Sequence, residues 1–161
     1  MGTVDRPSKA EWALGVARAV ATRGECLRRR VGCVIVAPDG SIVATGYNGN
    51  FPGGPSCLYG KCPRGLSSVP TGAGAISSSY DTGPGSCIAL HAEQNGLLRA
   101  DWNRLPGASM YITCEPCGGC RKMISGTPIE WVIWAGEFNT EWYKNPEGAY
   151  DYDSVDHLWL G

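Results

Sequence analysis

VGCVIVAPDGSIVATGYNG, residues 31–49, decides how the rest of the chain is read. Two runs rich in Val, Ile and Thr flank Pro38-Asp39-Gly40, a strong turn signal, so the stretch predicts a β-hairpin. Working back, SKAEWALGVARAVAT (8–22) predicts a helix. Ser8 can cap it, Glu11 holds the capping-box position, and Trp12, Val16, Ala19 and Val20 share a face. Working forward, IALHAEQNGLLRA (88–100) predicts a helix, ASMYITC (108–114) a strand, GCRKMIS (119–125) a short helix and IEWVIWA (129–135) a strand. Two β–α–β crossovers therefore follow a hairpin, which predicts an α/β fold with a central mixed β-sheet covered by helices. The aromatic and acidic tail, 136–161, offers no clear fifth strand.

The composition bounds the function. A chain of 161 residues is expected to form a single domain, 1–161, interrupted by a Gly-, Pro- and Cys-rich insertion at about 50–86. The net charge of −1 lacks the basic excess of polymer-binding domains, so no nucleic acid polymer is expected as a partner. No apolar run is long enough to span a bilayer, so no membrane partner is expected either. The first residues, MGTVDRPSKAEW, lack the apolar core of a secretory signal, and a cytoplasmic location is expected. In that setting eight cysteines point to metal binding or catalysis more than to disulfides.

The chemistry concentrates in HAE (91–93) and PCGGC (116–120). His91, Cys117 and Cys120 supply three zinc ligands and leave a fourth position for water, as a catalytic zinc requires. Both motifs fall near predicted helix starts, where the helix dipole favours thiolates. Glu93, two residues after His91, is placed to take a proton from the metal's water and pass it on. H-x-E followed by P-C-x-x-C is the signature of zinc deaminases, and the likeness implies that Glu93 hands protons to a ring nitrogen and to departing ammonia. An iron–sulfur cluster on Cys114, Cys117 and Cys120 is the rival; Arg121 and Lys122 stand where a fourth cysteine would be expected. A catalytically silent zinc module is the other alternative, and Glu93 speaks against it.

With CLRRRVGCVIV, TGYNG before a Pro-Gly segment, HAEQN, YITCEPCGGC and IEWVIWAGEF, residues 8–138 resemble the cytidine deaminase superfamily, and more closely its deoxycytidylate (dCMP) deaminases. The resemblance implies a three-layer α/β/α fold, a homo-oligomer, and zinc-dependent conversion of dCMP to dUMP and ammonia. Deamination of CMP, a modified dCMP or a guanine-type ring is the alternative. It implies that His91, Cys117 and Cys120 bind the catalytic zinc, that Glu93 is catalytic, and that Asn48 contacts the sugar. Phe138 falls where relatives place an aromatic ring against the base. Arg28, Arg30 and Arg121 are candidates for the substrate phosphate, because each adjoins a motif. Cys26, Cys57, Cys62 and Cys87 supply thiols for a second, structural zinc of the kind some relatives carry. Cys33 and Cys114 are read as strand residues. Two departures stand out: one extra residue precedes Pro52, which puts effector control in doubt, and Gly96 replaces the usual Ala, a packing adjustment.

Overall fold

The computed structural model describes residues 6–66, 86–137 and 139–145. Helix α1 spans Lys9–Ala21, with Ser8 as its N-cap. Ser8 Oγ accepts the Glu11 N–H at 3.2 Å and Glu11 Oε2 accepts the Ser8 N–H at 2.7 Å, the reciprocal pair that satisfies two otherwise orphaned donors. The hairpin follows as β1 (Gly32–Val36) and β2 (Ile42–Tyr47), paired antiparallel. Within the insertion, Cys57–Tyr59 form a 3-10 turn and α2 (Pro63–Leu66) a single helical turn. Helix α3 (Ala92–Arg99), β3 (Ser109–Ile112), α4 (Gly118–Ser125) and β4 (Trp131–Ala135) complete the two crossovers.

With a further strand β5 (Thr140–Lys144), the sheet order is β2-β1-β3-β4-β5, with β3 and β4 parallel and every other pair antiparallel. Helix α1 covers one face, where Ala13, Leu14 and Ala17 meet Val34, Val36 and Tyr111. Helices α3 and α4 cover the other, where Ala92, Leu97 and Ile124 meet Cys33, Ile35, Met110, Ile112 and Val132. The strict alternation along β1 follows from the two-residue period of a strand buried on both faces. The result is a three-layer α/β/α arrangement. Cys33 is fully buried, a small apolar side chain in the core as its position in a strand suggests.

Two sequence expectations are corrected, and the open question of a fifth strand is decided. Helix α1 buries Ala13, Leu14, Ala17 and Ala21, while Trp12 stays 39% exposed. Close approach chooses that face: a Cβ on Gly32 would stand 2.1 Å from the Ala17 carbonyl oxygen, so only small helix residues fit there. Helix α3 begins at Ala92 rather than 88, because Leu90 is held in an extended bridge with Gly49 through two hydrogen bonds of 3.1 Å. A fifth strand, β5 (Thr140–Lys144), closes the sheet edge against β4. Its end is tied down by the buried Asn145, whose Nδ2 reaches the carbonyls of Ile124 (3.1 Å), Thr127 (3.2 Å) and Ile129 (2.9 Å).

Candidate active site

Strands β2 and β3 both run antiparallel to β1, so the chain leaves their carboxyl ends on the same side of the sheet. Helices α3 and α4 start there, and ligand sites of α/β folds form at such ends. His91 is the N-cap of α3, with φ −69° and ψ 161°, and Cys117 the N-cap of α4, with φ −69° and ψ 167°. The His91 N–H is held by Gln94 Oε1 at 2.7 Å, and Cys117 Sγ accepts the Cys120 N–H at 3.5 Å. The N-cap residues of the two helices thereby face one another. His91 Nδ1 lies 3.5 Å from Cys117 Sγ and 3.3 Å from Cys120 Sγ, and all three donor atoms fall within 4.8 Å of one another. One nitrogen and two sulfurs at this spacing fit a single tetrahedral cation with a position to spare.

Glu93 is 3% exposed, in the first turn of α3. Burial raises its carboxyl above the usual range, opposed by its own backbone N–H, by the charge of His91 and by a hydrogen bond with Cys120. Burial also pushes the Cys120 thiol up, reinforced by Glu93 and Cys117. A bound cation is what would hold that sulfur as a thiolate.

A cleft of about 540 Å³ opens beside these groups, lined in part by Arg28, Arg29, Asn48, His91, Glu93 and Cys117. Asn48 stands in its wall with a hydrogen bond on each end of its amide: Oδ1 accepts the Val31 N–H at 2.8 Å and Nδ2 donates to the Arg29 carbonyl at 2.8 Å. Arg28 also lines the cleft, with Nη1 on the Arg64 carbonyl at 3.2 Å. Arg30 is not among the lining residues; its Nη1 reaches back to the Thr22 carbonyl at 3.2 Å, behind α1. Arg121 faces a neighbouring open groove of about 1020 Å³. There it pairs with Glu115 at 2.7 Å, donates to the Pro116 carbonyl at 3.2 Å and lies over the rings of Trp134 and Tyr143, at 5.2 and 4.8 Å. Phe138 lies outside the described residues.

Sequence reasoning passed over Arg29, which lines both the cleft and the groove. Nothing in an Arg-Arg-Arg run says which side chain turns inward. It also passed over Cys114 as a cleft residue; the thiol is half-buried in the wall, outside the metal-spaced group.

A second thiol group borders the same cleft through Cys62 and Cys87. The sulfurs of Cys57, Cys62 and Cys87 fall within 4.8 Å of one another, with Cys62 Sγ 3.8 Å from Cys87 Sγ. Burial and the neighbouring Cys62 push the Cys57 thiol up to about 12. Burial acts on Cys62 in the same direction, yet hydrogen bonds from the Ile88 and Gly65 backbone, together with those from Cys87 and Cys57, bring that thiol below its ordinary value. Cys26 stands near enough to raise Cys57 and Cys87, outside the tight group of three. Its sulfur accepts the N–H groups of Arg28 (3.4 Å) and Arg29 (3.5 Å). All eight cysteines are free thiols.

A sequence model of the family described as "Cytidine and deoxycytidylate deaminase zinc-binding region" matches residues 7–135. The deoxycytidylate deaminase of Mycobacterium phage D29 is 41% identical over 134 residues, 83% of this chain and 99% of that one. The deoxycytidylate deaminase of Schizosaccharomyces pombe is 36% identical over 84% of this chain, which spans 39% of that relative's length. Among solved structures, the apo dCMP deaminase of cyanophage S-TIM5 aligns with a TM-score of 0.52 at 24% identity, covering 81% of this chain and 84% of that one. That last likeness concerns the fold alone.

Proposed function

Since this chain belongs to the cytidine and deoxycytidylate deaminase zinc-binding family, we propose that it deaminates dCMP to dUMP with release of ammonia. The observation that carries this reading is the convergence of the His91 nitrogen and the Cys117 and Cys120 sulfurs beside the buried Glu93. His91, Cys117 and Cys120 hold the zinc. When bound, the metal supplies the Lewis acidity that brings an attacking water into a reactive range near neutral pH.

The remaining work falls to the chain's own side chains. Glu93 takes a proton from the attacking water and passes it to the ring nitrogen beside the amino-bearing carbon, then takes the second proton from the hydroxyl now on that carbon and gives it to the amine as the C–N bond breaks and the carbonyl forms. A carboxyl raised by burial suits both halves of that exchange. Asn48 orients the sugar from the cleft wall. Arg28 and Arg29 face the cleft as cations for the 5′-phosphate. Arg121 already carries Glu115 and two aromatic rings, so its part is to brace the approach to Cys117.

Cys57, Cys62 and Cys87, with Cys26 as fourth ligand, hold a second zinc that pins the insertion to the domain. The reading is supported by the 4.8 Å grouping and by the backbone N–H groups turned toward the Cys62 and Cys26 sulfurs. Eight free thiols suit a reducing, cytoplasmic compartment. Among the described residues no helix is long and apolar enough to cross a membrane. Self-association into a homo-oligomer is part of the proposal, with Trp142 an exposed apolar contact on edge strand β5.

The test is ammonia release from cytosine, deoxycytidine, CMP, dCMP and dCTP by the zinc-loaded protein. Turnover of dCMP above the other four is expected; preference for another member of the panel overturns the substrate assignment.

A further inference from the structure

The cations that face the cleft stand on residues 26–31, a segment with no helix or strand of its own. Something must fix where Arg28 and Arg29 sit relative to the reacting groups. Asn48 does so from one side. Its Oδ1 and Nδ2 bind the Val31 N–H and the Arg29 carbonyl, its backbone N–H donates to the Val31 carbonyl at 3.1 Å, and its own carbonyl accepts the Glu25 N–H at 2.9 Å. Four hydrogen bonds thus bracket the segment between 25 and 31.

Asn48 lies just past the end of β2 and needs an anchor in turn. That anchor is Asn95 on α3, 3% exposed. Its Nδ2 donates to the carbonyls of Tyr47 at 2.9 Å and Gly49 at 3.1 Å, the two residues that flank Asn48. Its backbone N–H donates to the His91 carbonyl at 3.0 Å, in the same helical turn that presents His91 and Glu93. Both amide protons of Asn95 are engaged, so no side chain lacking two donors reproduces the contact.

We propose that Asn95 is a positioning residue: through Asn48 it sets the arginine segment at a fixed distance from the His91–Glu93 turn, and so governs recognition of the phosphorylated substrate over the bare nucleoside. The substrate half of this inference rests on the deaminase reading; the mechanical half rests on the hydrogen bonds alone.

The experiment uses Asn95→Leu in the full, zinc-loaded chain, which keeps the branching and number of side-chain heavy atoms and removes both donors. The KM for dCMP is expected to rise about tenfold with kcat within about threefold, while kcat/KM for deoxycytidine, which shares only the Asn48 contact to the sugar, falls by less than about threefold. The Val31 amide, which donates to Asn48 Oδ1, is expected to exchange with solvent about tenfold faster at unchanged zinc content. Equal losses on dCMP and deoxycytidine, or an unchanged Val31 exchange rate, overturn the proposal. If the wild-type protein does not deaminate dCMP, the functional reading fails, and Val31 exchange alone decides the clamp. Where Asn95→Leu does not fold, Gly24→Ala presses on the clamp from its other side, since a Cβ there would stand 2.7 Å from Asn48 Oδ1. The same faster exchange and the same dCMP-selective rise in KM are expected; their absence overturns the proposal.

Discussion

Gly46 on β2 and Gly96 on α3 pack backbone against backbone: the Cβ that Gly46 lacks would stand 2.4 Å from the Gly96 nitrogen and 2.1 Å from the Ala92 carbonyl oxygen. This approach brings the helix carrying His91 and Glu93 down onto the strand that leads to Asn48. Gly96 is crowded from the sheet as well, since a Cβ there would meet Cys33 Sγ at 2.9 Å. Glycine in place of the usual alanine is thus matched to the cysteine beneath it.

Gly46→Ala should push α3 off the sheet. A destabilisation of about 1–3 kcal/mol or more is expected from overpacking, read as a lowered denaturation midpoint, with a loss of activity that outlasts correction for the unfolded fraction. Unchanged stability would show that the strand and helix can separate freely.

Glu93→Ala removes the proton carrier and leaves the metal ligands in place. Turnover should fall by about 10²- to 10⁴-fold, with zinc content and melting temperature retained. A variant that still releases ammonia at the wild-type rate would refute the assigned role.

Arg29→Ala and Arg30→Ala separate two neighbours that the sequence cannot tell apart. Arg29 faces the cleft and Arg30 the end of α1. Loss of a charge-assisted contact should raise the KM for dCMP about tenfold or more for Arg29→Ala, and by less than about twofold for Arg30→Ala. Steady-state kinetics on both variants measures the difference, and equal effects would remove the assignment.

Metal analysis of the purified protein should find about two zinc ions per chain, one in each thiol site. The Cys57→Ser/Cys62→Ser double variant should retain about one and lose protection of the insertion against proteolysis. A wild-type content of about one, unchanged in that variant, would refute the second site.

Much of the fold and site was legible because the signals are local. The hairpin follows from β-branched runs around Pro38-Asp39-Gly40, and the start of α1 from Ser8 and Glu11, whose reciprocal bonds span three residues. The residue types of the candidate metal centre were equally legible: a His and two Cys at helix-start positions limit the chemistry before any distance is known.

What only the tertiary structure decided depends on side-chain direction and on contacts between distant segments. The apolar pattern of α1 fits more than one face, and Gly32 selected the alanine face by close approach. Strand β5 became a strand through its ladder with β4 and the buried Asn145 beyond it, not through its own pattern. Cys57 and Cys62 meet Cys87 from 25 or more residues away, and Arg29 rather than Arg30 lines the cleft with Glu93. By itself the sequence determined which groups the chemistry has available. The packing of α3 on β2 and the amide bonds of Asn95 and Asn48 decided where those groups stand, because such contacts join residues with no local periodicity in common.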